Sequence, residues 1–187
     1  NTSTKTAKQV SEYYRNYMPV NDKRFLGSLI FYWGTKEEYT HTWFSIFNES
    51  GKPTEVLEAI RDSWQGKISL HTSPQIEYIL LDGKGAADNI LTMPGSKHHA
   101  VLVTKKGIDT SGFEYQWQVL KEDWWSYFKK DPQIPAPEQG LIHDSSKRNV
   151  EFFAPVQEGP YRLFLTVSNR GGYIATANIP FYVTGNP

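Results

Sequence analysis

The sequence predicts an α/β segment in residues 1–67, followed by an all-β, immunoglobulin-like sandwich in residues 68–187. In the first part, two amphipathic helical patterns flank a nearly continuous apolar run. The second part contains six or seven short runs in which apolar and polar residues alternate, separated by turns rich in Gly, Pro, Asn and Asp. Such alternation is typical of strands with one buried face, whereas a continuous apolar run is typical of a strand buried on both faces.

Two helices are predicted in the first part. The first spans about residues 6–18 and ends at Pro19. Its apolar and aromatic positions recur at steps of three and four residues, at Ala7, Val10, Tyr14 and Tyr17. The second begins near Pro53 and ends at Gly66, which suits a left-handed C-cap. Its apolar stripe consists of Val56, Leu57, Ile60 and Trp64.

Between the helices, the run from Phe25 to Trp33 reads FLGSLIFYW. It predicts a strand buried on both faces, as in a parallel sheet. A single parallel strand cannot form a sheet, so this module is expected to be incomplete. The sequence also begins with Asn1 rather than Met. We therefore expect the chain to be a piece of a longer protein.

The predicted strands of the second part cover residues 74–81, 100–103, 113–119, 149–154, 161–167 and 173–183. Trp117 lies in the middle strand, and Tyr161 opens the penultimate one. Immunoglobulin-like sandwiches place a core Trp and a corner Tyr at these positions. This pattern favours a sandwich over an open sheet.

Composition excludes several classes of function. The 20 basic and 20 acidic residues give no net charge, which argues against a nucleic-acid partner. No apolar run reaches the length of a membrane span, so a soluble chain without a membrane partner is expected. Cysteine is absent, which excludes disulfides, thiolate metal sites and a cysteine nucleophile.

Sequence motifs for cofactors, metals and serine nucleophiles are also missing. There is no P-loop and no G-x-S-x-G elbow. His98 and His99 are adjacent in a predicted strand, so their side chains point to opposite faces. Asp82, Asp88 and Asp109 lack the spacing of a calcium loop. No cofactor and no metal are predicted.

Trp33 and Trp43 are candidate sugar-binding residues. Trp33 ends the predicted strand, and Trp43 lies in the loop that follows it. An indole can stack on the apolar face of a pyranose. The alternative is that both rings cap a hydrophobic core, which is common for large aromatics. The adjacent pair Glu37–Glu38 is interpreted as solvated surface, and His41 lacks an evident partner for acid–base chemistry.

A second candidate surface lies in the Pro-rich segment 121–140, where Trp124 and Trp125 are adjacent. Exposed aromatic clusters commonly mark binding surfaces. The alternative is that this loop buries its rings against the first part of the chain.

The segment from Phe25 to Trp64 resembles the last strand and last helix of the (β/α)8 barrel, or TIM barrel, of clan A glycoside hydrolases. The resemblance rests on the strand end Phe31-Tyr32-Trp33-Gly34, on Thr42-Trp43-Phe44 and on the turn at 48–54. It implies an α/β remnant of a barrel in which Trp33 lines the subsite for the reacting sugar. It also implies that both catalytic carboxylates lie upstream of Asn1, so this chain alone would contain no catalytic residue.

Residues 159–167 and 177–183 resemble the accessory sandwiches that follow such barrels in bacterial polysaccharide-degrading proteins, and are similar to PKD and cadherin-like modules. The turn at 107–113 keeps only Asp109 of the acidic turn in PKD-type modules. The resemblance implies an extracytoplasmic (periplasmic or secreted) location, with carbohydrate and the remainder of the parent barrel as partners.

Three hypotheses follow. The chain is the C-terminal, non-catalytic part of a glycoside hydrolase that acts on polysaccharide or oligosaccharide. Alternatively it is a carbohydrate-binding module in its own right, or a structural spacer without a ligand.

Overall fold

The computed structural model describes residues 2–31, 33–34, 46–68, 70–122 and 135–185. These residues form two helices, α1 (Ser3–Asn16) and α2 (Glu55–Gln65), and seven strands. The strands are β1 (Ile76–Leu81), β2 (Leu91–Thr92), β3 (Lys97–Thr104), β4 (Glu114–Lys121), β5 (Val150–Phe153), β6 (Gly159–Ser168) and β7 (Ile174–Val183).

Both helices are capped by threonine side chains. Thr2 Oγ1 accepts from Lys5 N at 3.1 Å at the start of α1. Thr54 Oγ1 accepts from Val56 N at 3.2 Å at the start of α2. Such caps satisfy backbone donors that have no partner inside the helix. Helix α2 ends at Gly66, whose φ of 63° confirms the predicted left-handed stop.

The strands form two sheets. One has three antiparallel strands in the order β1-β3-β5, and the other has four in the order β2-β7-β6-β4. In the second sheet β7, β6 and β4 are antiparallel, whereas the two-residue β2 runs parallel to β7. Six of the seven strands coincide with predicted runs. The sequence does not predict strand β2, because two residues are too few to show an alternation of apolar and polar positions.

Inward side chains of the two sheets share one hydrophobic core. Leu81 and Phe152 of the smaller sheet pack in the same cluster as Trp117 and Tyr161 of the larger one. Trp117 and Tyr161 are only 2% and 1% exposed. The Tyr161 hydroxyl donates to the Gln157 carbonyl at 3.2 Å, which ties the start of β6 to the preceding turn.

The helices pack on each other and against the sandwich. The Ser3 hydroxyl accepts from Thr176 N of β7 at 2.9 Å, and the Thr4 hydroxyl accepts from Ile76 N of β1 at 3.0 Å. Ile174 N donates to the Pro53 carbonyl just before α2. Backbone and side-chain hydrogen bonds therefore hold the helical part to both sheets.

The predicted fold class, an α/β remnant of a barrel plus a separate immunoglobulin-like sandwich, is wrong. The chain is mainly β, with two short helices attached to two sheets. The described residues of the predicted strand, 25–31 and Trp33, lie outside the helices and strands that the structure describes, so the buried strand does not form there. Leu26, Leu29 and Phe31 are 100%, 97% and 80% exposed. The apolar run indicated burial on both faces, but no described strand pairs with it.

In the described part of the chain, no helix is both long and apolar enough to cross a membrane.

Candidate functional site

Two tryptophans form an exposed aromatic surface beside α2. Trp33 and Trp64 lie in nearly parallel planes, 12° apart, with ring centroids separated by 6.4 Å. They are 57% and 52% exposed. The Trp33 and Phe47 rings also meet edge to face, with centroids 5.4 Å apart and planes 68° apart. Both indoles therefore present apolar surface to solvent.

Hydrogen bonds fix the orientation of Trp64. Its Nε1 donates to the Tyr14 hydroxyl at 2.8 Å and lies 3.3 Å from Ser28 Oγ. The Tyr14 and Ser28 hydroxyls are themselves 2.6 Å apart. Helix α1 and the segment after it thus hold the indole from its polar edge. This anchoring lowers the entropy that the ring would lose on binding a ligand.

The two indoles border a cavity of about 310 Å³. Apart from the tryptophans, its lining comprises Leu57, Glu58, Ile60, Arg61, Gln65 and Tyr173. Binding sites for small molecules usually combine such apolar and aromatic walls with a few polar groups that fix orientation. Here the lining that is open to the cavity is almost entirely apolar.

The other predicted sugar-binding residues, Trp43, Trp124 and Trp125, lie outside the described residues. Glu37, Glu38 and His41 do as well. Their proposed roles therefore remain predictions. Trp33 lies at the surface rather than in the core, although it does not end a strand.

Sequence reasoning missed Trp64, which it assigned to the apolar stripe of α2. Val56 and Ile60 of that stripe are 2% exposed, but Trp64 is half exposed because it lies in the last turn of the helix. The position of Trp64, one residue before the end of the helix, is the sequence feature that could have indicated its exposure.

A buried carboxylate holds α2, and thereby Trp64, against the chain that leads into β1. Glu58 is 2% exposed. One of its oxygens accepts from the N–H and hydroxyl of Thr72 at 2.9 and 3.3 Å. The other accepts from the N–H and hydroxyl of Ser73 at 3.2 and 2.6 Å. Four donors thus compensate for the burial of the carboxylate.

His71 bridges two further carboxylates of α2. Its Nδ1 lies 3.2 Å from Glu55 Oε1 and its Nε2 lies 2.9 Å from Asp62 Oδ2. Burial opposes protonation of the ring. The hydrogen bonds to Asp62 and Glu55, together with the charge of Glu58, outweigh it and raise the pKa of His71 above its ordinary value of 6.5.

We expect His71 to make the stability of the chain depend on pH. A raised pKa in the folded state stabilises the fold fully below about pH 6.5, and this stabilisation is lost as the pH rises through the folded-state pKa. In urea unfolding between about pH 6 and 8, the wild type should lose more stability with rising pH than His71→Gln. His143→Gln, which changes an exposed histidine, serves as the control and should keep the wild-type profile. Equal profiles for His71→Gln and the wild type would contradict this assignment.

Within the described ranges, no group of three or more His, Asp or Glu side chains is arranged to hold a metal ion. The site therefore contains aromatic and hydrogen-bonding groups, without an assembled set of metal ligands among these residues.

Comparison with known proteins adds little to this description. No protein-family model matches the sequence, and no curated protein matches it. Among solved structures, one similar chain is a Saccharophagus degradans protein described as related to nucleoside hydrolases and associated with carbohydrate metabolism. It matches with 13% identity and a TM-score of 0.38 over 66% of this chain. The match spans only 30% of that protein's length.

Two smaller structures also align. The soluble domain of PmoD from Methylocystis sp. ATCC 49242 matches at 12% identity with a TM-score of 0.34, over 61% of this chain and 100% of that domain. CopC from Methylosinus trichosporium OB3b matches at 13% identity with a TM-score of 0.30, over 59% of this chain and 97% of CopC. Likeness at this level assigns neither a family nor a function.

Proposed function

We propose that this chain binds carbohydrate through the surface formed by Trp33 and Trp64. The observation that carries the proposal is the pair of half-exposed, nearly parallel indoles beside a cavity. Indole rings complement the apolar C–H face of a pyranose, and the almost entirely apolar lining of the cavity suits that face. The hydrogen bonds of Trp64 keep its ring in place before a ligand arrives.

The test is retardation in native gels that contain a soluble polysaccharide, using hydroxyethyl cellulose, xylan, agarose and starch in turn. We expect the wild type to be retarded by at least one. Trp33→Ala and Trp64→Ala should each weaken binding about tenfold or more, equivalent to about 1.4 kcal/mol. Trp33→Tyr should retain much of the affinity, because it keeps a flat aromatic face.

Tyr182→Ala is the matched control, since Tyr182 is an exposed aromatic residue that does not line this cavity. Thermal melting of each variant would separate loss of binding from loss of folding. Retardation by none of the four polysaccharides, or equal retardation of the wild type and folded Trp33→Ala, would contradict the proposal.

The wider proposal is that the chain is a non-catalytic part of a glycoside hydrolase that acts outside the cytoplasm. Two features support it: the sequence resemblance carried by Thr42-Trp43-Phe44 and the turn at 48–54, and the exposed apolar side chains of Leu26 and Leu29. Apolar patches of this kind commonly mark contact with another protein surface. The remainder of the parent protein would cover them.

The intact mass of the native product in its source cells tests this wider proposal. A mass well above the 21.5 kDa of this chain is expected. A native product of 21.5 kDa would overturn the wider proposal, while leaving carbohydrate binding by the tryptophan surface to its own test.

A further inference from the structure

At the start of β3, three side chains form a continuous hydrogen-bonded relay. Ser96 Oγ lies 2.7 Å from His98 Nε2, and His98 Nδ1 lies 2.6 Å from Asp82 Oδ2. This is the order and spacing of a nucleophile, a general base and an orienting carboxylate. No local motif encodes it, because Asp82 comes from a different strand end.

The fold explains how the three side chains meet. Ser96 and His98 are two residues apart at the start of a strand, so their side chains share one face. Asp82 follows the end of β1, where its Oδ1 accepts from His99 N at 2.8 Å. Its φ of 49° belongs to the two-residue turn formed by Asp82 and Gly83 between Leu81 and Lys84, in which both residues have positive φ, as is common in Asp-Gly hairpin turns.

The surroundings favour a polarised histidine. The His98 side chain is 12% exposed, and its ring packs against the fully buried Phe152 with centroids 5.6 Å apart. Partial burial of Asp82 favours its neutral form, but the hydrogen bonds from His98 and His99 N outweigh it and lower the pKa of the carboxyl group. An ionised Asp82 accepts a hydrogen bond from the Nδ1–H of His98, and in that tautomer Nε2 is an acceptor for the Ser96 hydroxyl.

We infer that Ser96 is a nucleophile, activated by His98 and Asp82, that accepts acyl groups from small carboxylic esters and releases them to water. The Ser96 hydroxyl has two acceptors within reach, His98 Nε2 at 2.7 Å and the Met93 carbonyl at 2.6 Å. Rotation of the hydroxyl toward His98 directs its hydrogen bond at Nε2, the atom that accepts the proton when Ser96 attacks.

The N–H of Lys97, the residue after Ser96, is the candidate backbone donor for the oxyanion. Along β3, the His99 N–H points to the edge where Asp82 accepts it. Lys97 is two residues before His99 in the same strand, so its N–H points to the same side of β3. On that side β1 has already ended, at Leu81. The N–H of the residue after the nucleophile has this role in other serine hydrolases.

Exposed apolar side chains near Ser96 suit an acyl group. Met93 and Val156 are 65% and 81% exposed, and Val156 lies next to Gly95. Both residues lie close to Ser96, Met93 three positions before it in the chain and Val156 beside Gly95.

The reaction has two balanced halves. Ser96 Oγ forms a bond to the ester carbonyl carbon while its proton moves to His98 Nε2, and Asp82 stabilises the resulting imidazolium. The carbon–oxygen bond to the leaving alcohol then breaks, and His98 returns the proton to that oxygen. In the second half, water loses a proton to His98 and attacks the acyl-serine. Cleavage of the acyl bond and return of the proton regenerate Ser96 and release a carboxylic acid.

The test combines covalent labelling with turnover. A fluorophosphonate probe should add to the wild type, with the adduct mapped by peptide mass analysis to Ser96. p-Nitrophenyl acetate should be hydrolysed, and Ser96→Ala and His98→Gln should each reduce turnover by about 100-fold or more. Asp82→Asn should reduce it as well.

Ser146→Ala is the matched control. Ser146 Oγ donates to a carboxylate, Asp144 Oδ1, at 2.6 Å, and is not part of the relay of Ser96, His98 and Asp82. Its replacement should leave labelling and turnover unchanged. Failure of the folded wild type to label at Ser96, or labelling there that survives in folded His98→Gln, would overturn the inference. Absence of labelling in the folded wild type is enough to overturn the inference. The test therefore does not depend on whether a variant folds.

Discussion

Replacing Glu58 by alanine is expected to lower the free energy of unfolding by about 3 kcal/mol or more. The substitution removes the acceptor for four donors at Thr72 and Ser73. Each buried donor left without a partner costs about 1–3 kcal/mol, although water would enter and satisfy some of them. The loss should also release the chain that links α2 to β1.

Urea unfolding of the variant measures this effect. Glu12→Ala is a suitable control, because the Glu12 side chain is 46% exposed and its ion pair among the described residues is the i,i+4 pair with Lys8. That change should cost at most about 0.5 kcal/mol. Glu58→Gln should fall between the two, since its amide keeps a single acceptor oxygen. A cost for Glu58→Ala no larger than that for Glu12→Ala would contradict the assigned role.

Trp117→Ala is expected to have a still larger effect, about 3–5 kcal/mol. The indole is 2% exposed and lies between the two sheets, where it packs in the shared core. Its Nε1 also donates to the Lys147 carbonyl at 2.9 Å. The substitution therefore leaves both a cavity and a backbone carbonyl without its donor.

Thermal and urea unfolding of Trp117→Ala and Trp117→Phe separate these two contributions. Phenylalanine fills much of the cavity but does not donate to Lys147, so its cost should be intermediate. The half-exposed Trp64 provides the comparison, because Trp64→Ala should cost markedly less stability. Similar losses for Trp117→Ala and Trp64→Ala would show that Trp117 does not hold the two sheets together.

The elements with local signals could be predicted from the sequence. Pro53 and Gly66 bracket α2 within a residue or two, and the alternating runs identify six strands. These patterns work because one face of each element packs against the core and the other faces solvent. The two-residue β2 has no such pattern and was found only in the structure.

The apolar run at residues 25–33 led to a wrong prediction of a buried strand, and the reason is physical. Hydrophobicity indicates that a segment favours burial, but not which partner covers it. In the structure Leu26 and Leu29 remain almost fully exposed, and no described strand pairs with them. The fold class inferred from this run was consequently wrong.

The two candidate sites depended on tertiary contacts that sequence spacing does not encode. Trp33 and Trp64 are 31 positions apart, yet their rings stack beside α2. His98 was considered only as a metal ligand beside His99, whereas its hydrogen-bond partners are Ser96 and Asp82. Each site becomes visible only when the structure brings separate elements together.

Indole N–H signals in ¹H–¹⁵N NMR spectra give the most direct test of carbohydrate binding at the tryptophan surface. The chain has six tryptophans, which Trp→Phe variants would assign. On titration with oligosaccharides from the polysaccharide that retards the chain, the signals of Trp33 and Trp64 should shift. The Trp117 signal should not shift, because that ring is buried and its N–H donates to the Lys147 carbonyl. No shift at saturating oligosaccharide, or shifts confined to Trp124 and Trp125, would contradict the assignment of the site to Trp33 and Trp64.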